Sequence, residues 1–166
     1  MDYSSQIARM LHDEHMTEIA RFERLESLLL QLGPGGPPAD QEGSVTALLI
    51  RLAADGAPSE HHFAFEEKQL FPRLAALGEV AIGDLLTDEH KTIRDVGAAV
   101  TDLVKAAQQA GFTHDTWREF HRLGLELTER TISHIQKEEM GLLPMVEQLL
   151  EDEEDTQLAL DYVATR

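Results

Sequence analysis

The chain has 166 residues, 42% hydrophobic and 27% charged, which is length and apolar content enough for one soluble domain with its own core. A formal charge of −17 and a pI near 4.7 repel phosphate backbones, and no Lys/Arg stripe offsets this, so direct nucleic-acid binding is not expected. The lack of cysteine removes disulfides, thiolate metal sites and cysteine nucleophiles together, and no apolar run approaches the roughly 18 residues of a membrane span.

The opening residues, MDYSSQIARMLHDEH, carry neither the basic patch nor the apolar stretch of a secretory signal, so a cytoplasmic location is expected. Helical periodicity predicts a first helix over about residues 5 to 32, with Ile7, Leu11, Ile19, Phe22, Leu25 and Leu29 on one stripe. The stretch GPGGPPADQEG, residues 33 to 43, cannot be helical. A second helix is predicted over about 44 to 76, interrupted or kinked near Gly56 and Pro58. The third, over about 83 to 109, aligns Leu86, Ile93, Gly97, Val100 and Val104. Ala110-Gly111 reads as a helix stop and Thr113 as a new N-cap. The fourth helix, over about 114 to 150, aligns Phe120, Gly124, Leu127, Leu142, Met145 and Leu149, with Trp117 in the core. An acidic EDEED run at 151 to 155 leads into LALDYVATR, either a short fifth helix or a frayed tail. No segment alternates as a strand does. The expected fold is all-α: an antiparallel up-down-up-down four-helix bundle over residues 1–150, built as two pseudo-repeated helical hairpins, with 151–166 as an acidic tail or short helix.

Polar residues break every stripe at a core position. His15 does so in the first helix, His62 and Glu66 in the second ahead of Leu70 and Leu74, His90 in the third, and Thr131, His134 and Glu138 in the fourth. Two phrases repeat: HFAFEEKQLFP (62 to 72) shares its frame with HIQKEEMGLLP (134 to 144), and HDEHMT around His15 resembles TDEHKT around His90. Each hairpin therefore contributes one lone His and one His-x3-Glu. Residues four apart share a helix face, so a His nitrogen and a Glu oxygen can address one metal or two adjacent ones. At roughly 1.5 Å per residue the six side chains fall in one layer of an antiparallel bundle about a turn thick. A single His-x3-Glu is most simply a helix-surface pair; two of them, on core stripes and inside a repeat, point to metal. Four imidazoles and two carboxylates suit iron, manganese or zinc, and two His per metal with bridging carboxylates would leave positions open to outside ligands. A divalent cation would also keep a buried Glu ionised, which burial alone would not.

These residues resemble the hemerythrin-like family, also called HHE cation-binding domains. Its pattern of lone His, HxxxE, lone His, HxxxE on four successive helices is matched in order by His15, His62-x3-Glu66, His90 and His134-x3-Glu138, over roughly residues 5 to 147. The resemblance implies a four-helix bundle holding two iron ions joined by an oxo or hydroxo bridge, with Glu66 and Glu138 as bridging carboxylates. It implies His15 and His62 on one metal, His90 and His134 on the other, and oxygen, nitric oxide or peroxide as the small-molecule partner. Zinc or manganese could occupy the same ligands. The oxygen carriers of the family have a second His one turn after the third-helix His and usually an Asp bridge in the fourth helix. Arg94 and Glu138 stand at those places here, which speaks against a five-His centre and reversible oxygen carriage. The cysteine-bearing N-terminal region of the iron-centre repair relatives has no counterpart in these residues, and the Glu-x-x-His of ferritin-like proteins occurs nowhere.

Three functions follow as alternatives. The first is a binding, sensing or stress-response protein, an iron buffer or sensor included, read by a protein partner. The second is a peroxidase- or oxidase-like enzyme in which loosely packed Phe63, Phe65 and Phe71 line or gate access. The third is a bundle whose buried His–Glu pairs hold no metal. Among the remaining groups, His12 is either a spare ligand or a support for one, His61 a surface neighbour, His114 a helix-start residue and His121 a partly exposed side chain. Glu67 and Glu139 either accept hydrogen bonds from ligand imidazoles or face solvent. Pro72 and Pro144 are expected to bend or end their helices.

Overall fold

The computed structural model describes residues 3–37, 44–54 and 60–165. Among them every regular element is helical: α1 (Gln6–Leu32), α2 (Ser44–Ala54), α3 (Glu60–Phe65), a π-helical turn π1 (Glu66–Leu70), α4 (Phe71–Ala76), α5 (Ala81–Ala110), α6 (His114–Lys137), a second π turn π2 (Glu138–Leu142), α7 (Leu143–Leu149) and α8 (Asp152–Ala164). The predicted helices fall within a few residues of these bounds. The interruption expected at Gly56 and Pro58 lies outside the described residues, as does the stretch 38–43 of the predicted loop. No helix among the described residues is long and apolar enough to cross a membrane.

The chain divides into two compact units. One comprises Glu18–Pro58 and Thr92–Ile132. Its core buries Phe22, Leu25, Leu29, Leu49, Val100, Val104, Trp117, Phe120 and Leu127, while Ile19 is half-buried. Gly111, at φ +74°, ends α5 in the left-handed backbone that favours glycine, and the Thr113 hydroxyl caps α6 by accepting from the Thr116 N–H at 3.2 Å. Gly124 has a steric reason: a Cβ there would lie 2.8 Å from Leu29 Cδ1. Buried polar groups of this unit turn to the backbone. The Trp117 indole N–H donates to the Gly33 carbonyl at 3.1 Å and the Thr128 hydroxyl to the Gly124 carbonyl at 2.9 Å. His121, expected to be partly exposed, is buried with Nε2 3.0 Å from the Leu29 carbonyl, because that oxygen satisfies its ring where solvent would otherwise have to.

The other unit comprises Met1–Thr17, Ser59–Lys91 and Ser133–Arg166. Its apolar cluster includes Tyr3, Ile7, Leu11, Phe65, Leu70, Phe71, Leu74, Leu86, Leu142, Leu143, Val146, Leu158 and Tyr162. The C-terminal segment is a helix, α8, which buries Asp155, Leu158, Ala159 and Tyr162 at the i, i+3, i+4, i+7 spacing of one helical face. Asp155 caps the free N-terminus of α1, accepting from Gln6 N at 2.7 Å, Ile7 N at 3.1 Å and the Ser5 hydroxyl at 2.6 Å.

Neither Pro72 nor Pro144 ends a helix. Each lies in the first turn of the helix that continues beyond it, α4 or α7. Each follows a π turn, in which the Phe71 N–H donates to the Glu66 carbonyl and the Leu143 N–H to the Glu138 carbonyl, five residues back. A proline has no N–H to give, and its ring collides with the carbonyl four residues earlier; widening the preceding turn by one residue removes both conflicts without breaking the rod. The extra residue advances the buried stripe. After Glu138 the buried positions are Leu142, Leu143 and Val146, whereas Met145 and Leu149, expected in the core, are half-buried. After Glu66 they are Leu70, Phe71 and Leu74, the same pattern 72 residues earlier in the sequence.

Candidate metal centre

All six residues singled out by the sequence lie in the second unit, and all six are buried: His15 on α1, His62 on α3, Glu66 at the start of π1, His90 on α5, His134 on α6 and Glu138 at the start of π2. Two imidazole pairs form. His15 and His62 bring their Nε2 atoms within 3.3 Å, and His90 and His134 theirs within 3.0 Å. The two carboxylates stand between the pairs. Glu66 turns Oε1 to His62 Nε2 and Oε2 to His90 Nε2, both at 3.3 Å. Glu138 turns Oε2 to His15 Nε2 at 3.1 Å and Oε1 to His134 Nε2 at 2.8 Å. Each carboxylate thus offers one oxygen to each pair. Two groups of donors able to hold a cation result, His15, His62, Glu66, Glu138 and Glu66, His90, His134, Glu138, in each of which the ligand atoms lie within 4.8 Å of one another.

The other ring nitrogens fix the protonation pattern. His15 Nδ1 lies 2.6 Å from Glu139 Oε1, His62 Nδ1 3.1 Å from Glu14 Oε2, His90 Nδ1 2.8 Å from Glu67 Oε1 and His134 Nδ1 3.0 Å from Glu89 Oε2. An ionised carboxylate only accepts, so each imidazole carries its proton on Nδ1 and, when neutral, presents a bare lone pair at Nε2. The centre is therefore lined by four nitrogen lone pairs and four carboxylate oxygens, acceptors facing acceptors. Oε1 and Oε2 of Glu66 and Oε1 of Glu138 accept no hydrogen bond among the described residues. Such a set fits a cation, and its chemistry, imidazole with carboxylate, suits iron, manganese or zinc.

The electrostatics agree. Burial works against charge on His15, yet Glu138 and Glu139 outweigh it and raise its pKa. His90 is pushed up to about 9, burial again being overcome, here by Glu138, Glu66 and Glu67. Burial and the Glu138 charge would raise Glu66, but the facing imidazoles hold it low. Glu138 stays well below the usual carboxylate range because His134, His15 and His90 together overcome its burial. With no cation the acceptors favour an extra proton on His15 and on His90; a divalent ion would reconcile them without it.

The remaining groups take definite places. Glu67 and Glu139 do not simply face solvent; Glu67 bonds the His90 imidazole and Glu139 that of His15. Glu14 and Glu89, which the sequence reading passed over, do the same, and the signal for them was present: the repeated DEH puts a Glu immediately before each lone His. Lys137 Nζ donates to the second oxygen of Glu89 at 2.5 Å. His12 lies outside both donor groups and bonds Glu139 Oε2 at 2.8 Å, supporting His15 at one remove. His61 is no surface neighbour: it is half-buried and stacks on Tyr162, ring centroids 4.6 Å apart. Phe63 and Phe71 lie nearly parallel to the His90 ring, with centroids 3.7 and 6.0 Å from it, and Phe65 packs on Tyr162. All three phenylalanines are buried, not loosely packed.

An all-helical chain with paired His-x3-Glu segments and two lone histidines around shared carboxylates defines a class of helical metal-binding proteins. The sequence matches the model of the hemerythrin HHE cation-binding domain over residues 6–146, and the chain belongs to that family. Comparison with curated proteins returns no match.

Proposed function

We propose that the chain is a non-heme di-iron protein that binds oxygen, peroxide or nitric oxide in the cytoplasm and serves in sensing or stress response. His15 and His62 would hold one iron and His90 and His134 the other, with Glu66 and Glu138 offering one oxygen to each. The observation that carries this reading is the division of each carboxylate between the two imidazole pairs, at 2.8 to 3.3 Å. The reading takes residues 1–150 as an antiparallel four-helix bundle and residues 151–166 as an appended segment. The nearness of His15 on α1 to His62 on α3, and of His90 on α5 to His134 on α6, supports that arrangement.

Bound iron supplies reversible one-electron chemistry and affinity for small oxidising ligands. The chain supplies the rest. Glu139, Glu14, Glu67 and Glu89 hold the four imidazoles in the tautomer that presents Nε2. Phe63, Phe65 and Phe71 exclude water from the same region. Two imidazoles and two shared carboxylate oxygens per ion fall short of six ligands, leaving room for an outside ligand.

The test is metal analysis of untagged protein after anaerobic reconstitution with ferrous iron. About two irons per chain, and a change in the visible spectrum on adding nitric oxide, are the expected results. A chain that takes up no metal would overturn the reading, and rapid peroxide turnover abolished by His62→Ala would make it an enzyme.

A further inference from the structure

The two halves of the centre are supported differently. Glu89, which orients His134, is held by Lys137 from the same helix as that histidine. Glu14, which orients His62, is held by Tyr162, a residue of α8. The Tyr162 hydroxyl donates to Glu14 Oε2, the oxygen that also faces His62 Nδ1, and itself lies 3.3 Å from that nitrogen. Its ring is fully buried, packed on Phe65 at 4.6 Å and stacked on His61. The helix bearing it begins at Asp152, past the last residue of the family match, 146.

The docking of α8 fixes that hydroxyl in place. Asp155 is tied to the first turn of α1 through Ser5, Gln6 and Ile7, and Gln6 Nε2 reaches the Thr156 hydroxyl at 2.9 Å. From Asp155 to Tyr162 is two helical turns, and from Ile7 to Glu14 is the same, roughly 10 Å at 1.5 Å per residue. With Leu158 and Ala159 packed into the same cluster as Ile7, Ala8 and Leu11, the two helices keep step, and the phenol arrives level with Glu14.

We infer that Tyr162 is a positioning residue of the metal centre, acting through Glu14 to orient His62, and that α8 is thereby part of the site. The inference rests on the di-metal reading. A carboxylate shared by a phenol O–H and an imidazole N–H has its oxygen fixed along one direction, and the imidazole that depends on it is fixed with it. Without the phenol, Glu14, about a quarter exposed, loses the O–H that fixes the oxygen facing His62.

The experiment loads the metal-free full chain with cobalt(II) and measures, against a competing chelator of known affinity, how many ions are held and how tightly, with the visible cobalt bands as a second readout. The wild type is expected to hold two. In Tyr162→Phe, which keeps the buried ring, one of the two should bind about 10- to 100-fold more weakly, with altered bands. Glu14→Ala, a change at a partly exposed position, should do the same, and the double variant should add nothing to either, because both act on one hydrogen-bond chain. Wild-type affinity for both ions in Tyr162→Phe overturns the inference alone. So do a lowered melting temperature of the metal-free variant with unchanged cobalt binding, and additive losses in the double variant. No cobalt bound by the wild type overturns the di-metal reading and the inference with it.

Discussion

Both units bury histidine, and they satisfy it in opposite ways. His121 lies among Trp117 and Leu29 and bonds a backbone oxygen, the Leu29 carbonyl, which already accepts from Gly33 N at 2.9 Å. His15, His62, His90 and His134 use carboxylates for Nδ1 and leave Nε2 turned toward further acceptors. A buried polar group paired with a backbone partner is finished: it holds the fold and asks for nothing more. A buried set made only of acceptors is unfinished, and what completes it must be positive. Burial and residue type are alike in the two places; the sign of the facing partner separates structure from site.

The largest test of that difference removes a shared carboxylate. If two ions share Glu138 as proposed, Glu138→Ala should take the metal content from about two per chain to less than one, read by metal analysis, because both would lose a ligand. Trp117→Ala, in the other unit, should leave the metal count at about two while costing about 3–5 kcal/mol in denaturant unfolding; loss of metal in that variant would break the separation. Glu139→Ala frees the Nδ1 of His15 and of His12, and should weaken one ion about 10- to 100-fold in chelator competition. His121→Phe should be mildest, about 0.5–1.5 kcal/mol in chemical unfolding with metal affinity unchanged, since the Leu29 carbonyl keeps its backbone partner.

The six central residues were legible because two independent regularities coincide on them: the four-residue spacing of one helical face, and a frame written twice. Helix bounds were legible for the usual reasons, with Gly111 and Thr113 marking one boundary in the sequence as in space. Glu67 and Glu139 were ambiguous because each sits about 100° around the helix from the residue before it, at the border of core and solvent, where only the neighbouring helix decides. His61 and His121 were misplaced for a related reason: the partners that bury them, Tyr162 and the Leu29 carbonyl, are remote in sequence. Tyr162 itself could not be read, since a short acidic helix says nothing of where it docks. Pro72 and Pro144 announced a disturbance without its kind, for a kink, a stop and a widened turn all begin with the same missing N–H.

The widened turns have a consequence for how such a helix can change. By spending one surplus residue between Glu66 and Pro72, and again between Glu138 and Pro144, the rod sets the direction of its buried carboxylate apart from that of its leucines. The two directions then answer to different substitutions, so the reach of a carboxylate can be retuned upstream without swinging Leu74 or Val146 out toward water.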